Sequence, residues 1–303
     1  MLVKDQLCKF VFKKLPLFFP EKKATSTHFG ICMLLCHKDM TMALYSLQSL
    51  FFHLGYALPL YIIDDGSLTK SDSATLRKLF TITIDTKSKA LLKIRTNFGN
   101  YPTLLKYMED EKNHVKRMKV AALLLSPFQK IICLEPDVLF FHLPAEIQSF
   151  KKTGKNYFGV LHQAVYEQQF VHDNMMEMHF RRLLYFHLKL DIHFLFNGGF
   201  LLLNKDTINK VSLAKIEKTL RIFYTVDYAR MFYAEETILA TLFEVNNSVL
   251  LPYPGYVNLV YPIEYDRTLP NRASAIHFIT PTRLIFIYQG VKLALRSRLF
   301  SKK

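Results

Sequence analysis

Short apolar runs, each stopping at a polar or acidic residue, recur through the first half of this chain and constrain its fold more than any other feature. Gly30 to Cys36, Leu58 to Ile63 and Lys130 to Leu134 are such runs, the pattern of strands covered on both faces. Helical patterns separate them. From about Thr41 to Leu54, Leu44, Leu47, Phe51 and Leu54 share one stripe, with Asp39 or Thr41 available as a cap and Gly55 as a stop. A second helix, from about Ser71 to Phe80, carries Leu76, Leu79 and Phe80 inward. After a short strand near Ile82 to Ile84, Pro102 opens a long helical stretch to Leu125, charged in its middle and apolar at its MKVAALLL end. Repeated units of this kind require an α/β fold, a mostly parallel central sheet flanked by helices.

The second half is less regular. Phe158 to Leu161 and Gly199 to Leu203 read as strands, whereas Asp173 to Leu188, Lys205 to Tyr224 and Glu235 to Phe243 read as helices. No linker rich in Gly, Pro or Ser interrupts the 303 residues, so the expected organisation is a lead-in over 1–25 and a single domain over 26–303.

Forty Lys plus Arg against 25 Asp plus Glu leave a formal charge of +15, a surface that attracts phosphates. The cations are scattered in small clusters such as Lys13-Lys14 and Lys302-Lys303, with no basic arm. Nucleic acid is therefore not an expected partner, while peripheral contact with an anionic membrane is compatible with the charge. Cys8, Cys32, Cys36 and Cys133 lack the paired spacing of a zinc site and read as free thiols of a reducing compartment. No apolar run is long enough to span a bilayer, and lysines at 9, 13 and 14 break any signal-peptide core. The expected location is cytoplasmic, with peripheral membrane contact open.

In an open parallel sheet, ligands bind beyond the carboxyl ends of the strands. Four motifs fall at positions of that kind, and a histidine joins them. Asp64-Asp65-Gly66-Ser67 follows a strand, where its carboxylates can meet a base or ribose; a turn capped by Ser67 or Thr69 is the plainer use. Glu135-Pro136-Asp137 sets two carboxylates on a stiff turn between apolar segments, an arrangement that suits a hard cation such as Mn²⁺ or Mg²⁺. Asn197-Gly198-Gly199 places paired glycines inside an apolar strand, a sign of close approach by a ligand or another backbone; a bulge or tight packing is the plainer use. Glu235 and Glu236 open a helix, which dipole considerations alone would favour. His277, in AIHFITPTR, completes the set.

In this order, the motifs resemble the GT-A superfamily of nucleotide-sugar-dependent glycosyltransferases, from about Gly30 to Gly290. EPD resembles the metal-holding DxD element, FNGGFLLLN the acceptor-side strand of glycogenin-like (family-eight) enzymes, EETILATLF the later acidic helix, and HFITPTR the C-terminal histidine. DDGS is closer to inverting family-two enzymes, and Glu135 stands where the superfamily usually has Asp. The resemblance implies a GT-A domain and a divalent-metal-dependent hexosyltransferase-like activity. It implies a nucleoside-diphosphate sugar donor, most simply a UDP-sugar, and a glycan, lipid or protein acceptor. It also implies roles: Glu135, Asp137 and His277 at the metal, Asp64, Asp65, Lys119, Asn197, Gly198 and Gly199 at the donor, and Glu235 or Glu236 as catalytic carboxylate. The alternative is a catalytically degenerate GT-A domain that binds sugar or protein. A nucleotidyltransferase would need a glycine-rich loop after its first strand, and HKDMTMAL contains no glycine.

Overall fold

The computed structural model describes residues 28–160, 196–225, 234–246, 248–252, 254–259 and 265–300, together with positions 10–12, 15, 17, 19–20, 186, 189 and 262. In chain order the elements are β1 Phe29–Leu35, α1 Met40–Leu54, β2 Leu60–Asp64, α2 Lys70–Leu79, β3 Ile82–Thr86, α3 Lys87–Phe98, α4 Pro102–Glu109 and α5 Arg117–Leu125. There follow β4 Lys130–Leu134, β5 Val138–Phe140, α6 Ala145–Thr153, β6 Tyr157–Val160, β7 Phe196–Asn204, α7 Lys210–Thr225 and α8 Ala234–Val245. The last are β8 Val249–Leu250, β9 Tyr256–Leu259, α9 Leu269–Arg272, β10 Ala275–Phe278 and α10 Arg283–Phe300.

Seven strands form the main sheet in the order β3-β2-β1-β4-β7-β6-β8. The first four run parallel, and β7 runs antiparallel to both β4 and β6. Successive strand residues alternate between two cores, as the pleat demands. Cys32, Tyr61, Ile131 and Leu201 pack with α3, α4, α5, α7 and α8, whereas Met33, Ile62, Ile132 and Leu202 pack with α1, α2 and α6. Burial on both faces explains the unbroken apolar runs. From β1 the chain moves outward through β2 and β3, then returns on the other side as β4. The crevice between the carboxyl ends of β1 and β4 is thus the topological switch point, where open α/β sheets bind ligands. A second sheet, β5-β10-β9, sets β10 antiparallel to β5 and parallel to β9.

Several expectations need correction. The helix expected from Pro102 to Leu125 is two helices, because short polar side chains close the intervening turn on itself. Asp110 Oδ1 accepts from Lys112 N at 3.0 Å, and Asn113 Nδ2 donates to the Tyr107 carbonyl at 2.8 Å. Buried Arg117 then ties the turn together by donating to the Met108, Asn113 and His114 carbonyls. Helix α3 was not anticipated; Thr86 caps it by accepting from Lys89 N. Asp39 precedes α1 without a side-chain capping bond, though Gly55 does end that helix in the left-handed conformation. Thr69, not Ser67, caps α2, in a reciprocal box with Asp72. The lead-in is not wholly loose: Phe12 stacks on Tyr45 at 4.2 Å between ring centroids. Cys32 and Cys133 are buried free thiols, while Cys36 lies just past β1, half-buried. The helix expected over 173–188 lies outside the described residues. Among those described, no helix is long and apolar enough to cross a membrane.

The segment expected to begin a helix at Lys205 instead turns, and α7 starts at Lys210. Lys205 caps α5 from outside: its ammonium donates to the carbonyls of Leu124 (2.6 Å), Ser126 (3.0 Å) and Leu123 (3.2 Å). Leu123 also accepts from Ser126 N at 3.4 Å; the other two carbonyls lie at the helix end, where intrahelical donors run out. Lys205→Met should cost about 1–3 kcal/mol, the range for buried groups losing a charged partner. Urea unfolding of the two proteins measures it, and an unchanged midpoint would show that the cap contributes nothing.

Candidate metal and donor site

Glu135 and Asp137 leave the carboxyl end of β4, at the switch-point crevice, and two backbone bonds fix the turn that carries them. Glu135 N donates to the Gly199 carbonyl on β7 at 2.8 Å, and Phe278 N on β10 donates to the Asp137 carbonyl at 2.9 Å. The second bond continues the β5–β10 pairing, whose register sets His277 opposite Val138. The small sheet thereby delivers His277 to the acids. Its Nε2 lies 3.1 Å from Glu135 Oε2 and 3.1 Å from Asp137 Oδ1, and one ligand atom from each residue falls within 4.8 Å of the others.

A network behind the ring decides what His277 offers. Nδ1 lies 2.7 Å from Asn197 Oδ1 and 2.8 Å from Asn258 Oδ1. The same Asn197 atom accepts from Gly199 N at 2.8 Å and from Tyr256 OH at 3.3 Å; a backbone N–H can only donate, so this atom is the amide oxygen. Nδ1 therefore carries a proton and Nε2 faces the carboxylates, the orientation in which imidazole ligates a metal. Burial pulls the imidazole pKa down, but Asp137 and Glu135 outweigh it and raise it to about 9. Since the unperturbed value is 6.5, the stability this proton contributes is complete below about pH 6.5 and is lost as pH rises through about 9. The shift corresponds to roughly 3 kcal/mol. Melting temperature in EDTA should fall across that window. A cation on Nε2 would replace the proton, so saturating Mn²⁺ should flatten the profile; parallel curves with and without Mn²⁺ would contradict the coupling.

The paired glycines have a packing explanation. A Cβ on Gly199 would lie 2.7 Å from His277 Cε1, and one on Gly198 would lie 2.9 Å from Lys119 Cε. Their missing side chains are the space that the imidazole and the lysine occupy, so close approach comes from this chain's own residues. Lys119, on the first turn of α5, is 2% exposed and pairs with both Glu135 and Glu235. Its ammonium is thus spent on two carboxylates of this chain. Burial lowers its pKa, but the two carboxylates outweigh that and hold it well above the usual lysine value. Glu235 is buried with Oε2 lacking any hydrogen bond, while Glu236, beside it on α8, is half-buried. Burial, then the neighbouring Glu235, push the Glu236 carboxyl up to about 8.

Asp64 and Asp65 sit on the same sheet edge, two strands from β4, with Asp64 in register with Leu35 at the end of β1. Each spends an oxygen on its own turn. Asp64 Oδ1 accepts from Gly66 N (2.8 Å) and Leu68 N (3.0 Å), and Asp65 Oδ1 accepts from Ser67 N (2.9 Å). Gly66 makes the turn with φ of 107°. Arg283, at the first position of α10, was missed. It spans Asp39 after β1 (3.5 Å) and Asp137 (4.0 Å), across the crevice, and its only sequence signal was a cation six residues beyond His277. Asn258 and Tyr256, one strand from His277, gave no local signal.

No protein-family model matches the chain, and no curated protein matches it in sequence. Solved structures do match its fold. Mouse xyloside xylosyltransferase 1, in its apo form, is 15% identical with a TM-score of 0.53, over 84% of this chain and 98% of that one. The galactosyltransferase LgtC, in complex with donor and acceptor sugar analogues, is 15% identical with a TM-score of 0.51, over 88% and 95%. The WbbM bifunctional glycosyltransferase is 8% identical with a TM-score of 0.54, over 90% of this chain and 51% of that one. With its seven-stranded, mostly parallel sheet and flanking helices, the chain has the GT-A glycosyltransferase fold.

Proposed function

We propose that this protein transfers a sugar, most simply a hexose, from a nucleoside-diphosphate sugar of the UDP class to an acceptor hydroxyl, with a divalent cation at Glu135, Asp137 and His277. The observation that carries this is the convergence of those three side chains at the switch point, with Nε2 of His277 presented by Asn197 and Asn258. The donor set fits a cation: two carboxylates supply hard oxygen, and an imidazole nitrogen favours Mn²⁺ over Mg²⁺, which prefers an all-oxygen shell. When bound, that ion would offset the charge of the leaving diphosphate.

The chain's own residues support the remaining roles. Arg283, beside Asp137, is a second cation for a diphosphate, and Asp64 or Asp65 is suited to a ribose or base at the neighbouring strand end. Asn197, Gly198 and Gly199 serve the donor indirectly, by seating His277 and Lys119. Of the two candidate catalytic carboxylates, Glu236 is the better proton acceptor, because it is partly exposed and its raised pKa lies near neutrality; Glu235 is committed to Lys119. Residues 26–303 act as one domain in this scheme, since both sheets contribute ligands to one site. Buried free Cys32 and Cys133 support a reducing, cytoplasmic setting.

One feature favours the degenerate alternative: Lys119 already occupies one oxygen of Glu135. A thermal-shift panel of nucleotides and UDP-sugars, with Mn²⁺ or EDTA, separates the two. Donor-dependent stabilisation that needs Mn²⁺, together with release of UDP, supports transfer. Metal-independent sugar binding without turnover would replace it with a binding module.

A further inference from the structure

Helix α10 docks through a broad face, whose margins are the half-buried Ile285, Ile287, Val291 and Leu293. Phe286, Gly290, Ala294 and Ser297 face inward: Phe286 meets the Phe12 and Phe278 rings, Gly290 lies against Tyr45, and Gln48 Nε2 donates to Ser297 Oγ at 2.5 Å. On the opposite face, Leu284, Tyr288 and Leu295 are 51%, 63% and 47% exposed. Their spacing of four and seven residues sets them on one side of the helix, with half-buried Val291 between them packed against the core. Exposed Lys292 and Arg296 lie one step round the same face. From Arg283 to Lys303 the sequence carries six cations and no acid.

We propose that this face of α10 is a membrane-surface contact that lies in the interface of an anionic lipid bilayer. An apolar stripe flanked by lysine and arginine, on a helix too polar to cross a membrane, is the form of an interfacial helix, and clustered cations draw it to anionic headgroups. Charge decides among the occupants. A second copy of a chain carrying +15 would bring like charge against like, whereas an anionic bilayer complements both stripe and flanks.

Co-sedimentation of the full chain with sucrose-loaded vesicles tests the proposal. Binding is expected to phosphatidylcholine vesicles containing phosphatidylserine, weakening as salt rises, with little to phosphatidylcholine alone. The variant Leu284→Ser/Tyr288→Ser/Leu295→Ser should bind about tenfold less with an unchanged melting temperature, since all three side chains are solvent-exposed. Lys292→Glu/Arg296→Glu, which leaves the apolar stripe intact, should lose the preference for phosphatidylserine. Failure of the wild-type chain to sediment, or retention of binding by both variants, would overturn the proposal. So would a dimer seen by light scattering that the serine variant dissociates, because the face would then be a contact between copies.

Discussion

Alanine at position 137 is expected to abolish sugar transfer and, with it, stabilisation of the protein by Mn²⁺, while the fold survives. Asp137 contributes to structure chiefly through its backbone carbonyl, which accepts from Phe278 N at 2.9 Å; alanine keeps that bond and the register of β5 with β10. The carboxylate is different, since its contacts are His277 and Arg283. Removing it leaves Glu135 and His277 as the proposed ligands, too few to hold an ion in competition with water. Losing an indirect metal partner costs about 10–100-fold, so a direct ligand should cost about a thousandfold or more in kcat/KM. Stability in EDTA should fall by no more than about 3 kcal/mol, the share that the His277 proton contributes below about pH 6.5. Initial rates of UDP release measure the first effect, and melting temperatures in EDTA and in Mn²⁺ measure the others. Asp137→Ala that keeps either its activity or its Mn²⁺-dependent shift would remove Asp137 from the metal site.

The sheet and its acids were legible because the information is local. A strand buried on both faces shows as an uninterrupted apolar run, and the acids at the ends of β2 and β4 follow their runs within three residues. Thus β1, β2 and β4 fall within two residues of their expected bounds, and Glu135 and Asp137 were found as a pair. What stayed hidden depends on residues far apart in sequence. Gly198 and Gly199 signal that something comes close, but only the fold reveals Lys119 and His277 as what comes. Asn258 matters because β9 lies beside β10, and Arg283 because α10 starts where β1 ends its run. The break between α4 and α5 was missed for another reason. Asp110 and Asn113 compete for backbone groups that a continuous helix would use, and their charged neighbours read equally well as a solvated helical face.

Lys119 carries the largest expected effect on stability. Its ammonium is the only cation among the described residues that pairs with both Glu135 and Glu235, and Glu235 is almost wholly buried. Methionine fits the same channel beside Gly198 but leaves two carboxylates facing each other in a site where charge is poorly solvated. Removing one partner from a buried ion pair costs about 3–5 kcal/mol, most of it from the charge left behind. That origin has two consequences. With Lys119 present, Glu135 is held well below the ordinary carboxylate value: burial pushes it up, and Lys119, helped by Lys116 and His277, more than reverses this. Its contribution to stability is therefore present above the unfolded value of about 4.5 and lost as pH falls. Without Lys119 the burial of Glu135 is offset less, and the deficit of Lys119→Met relative to wild type should shrink as acid neutralises Glu135. Adding Glu235→Gln should then recover much of the lost stability, because it removes the stranded charge directly. Arginine should not substitute for the lysine: its planar guanidinium exceeds the space that Gly198 leaves for an ammonium. Chemical denaturation of the two single variants and the double variant across pH completes the cycle, and additive losses in the double variant would show that Lys119 and Glu235 are not coupled.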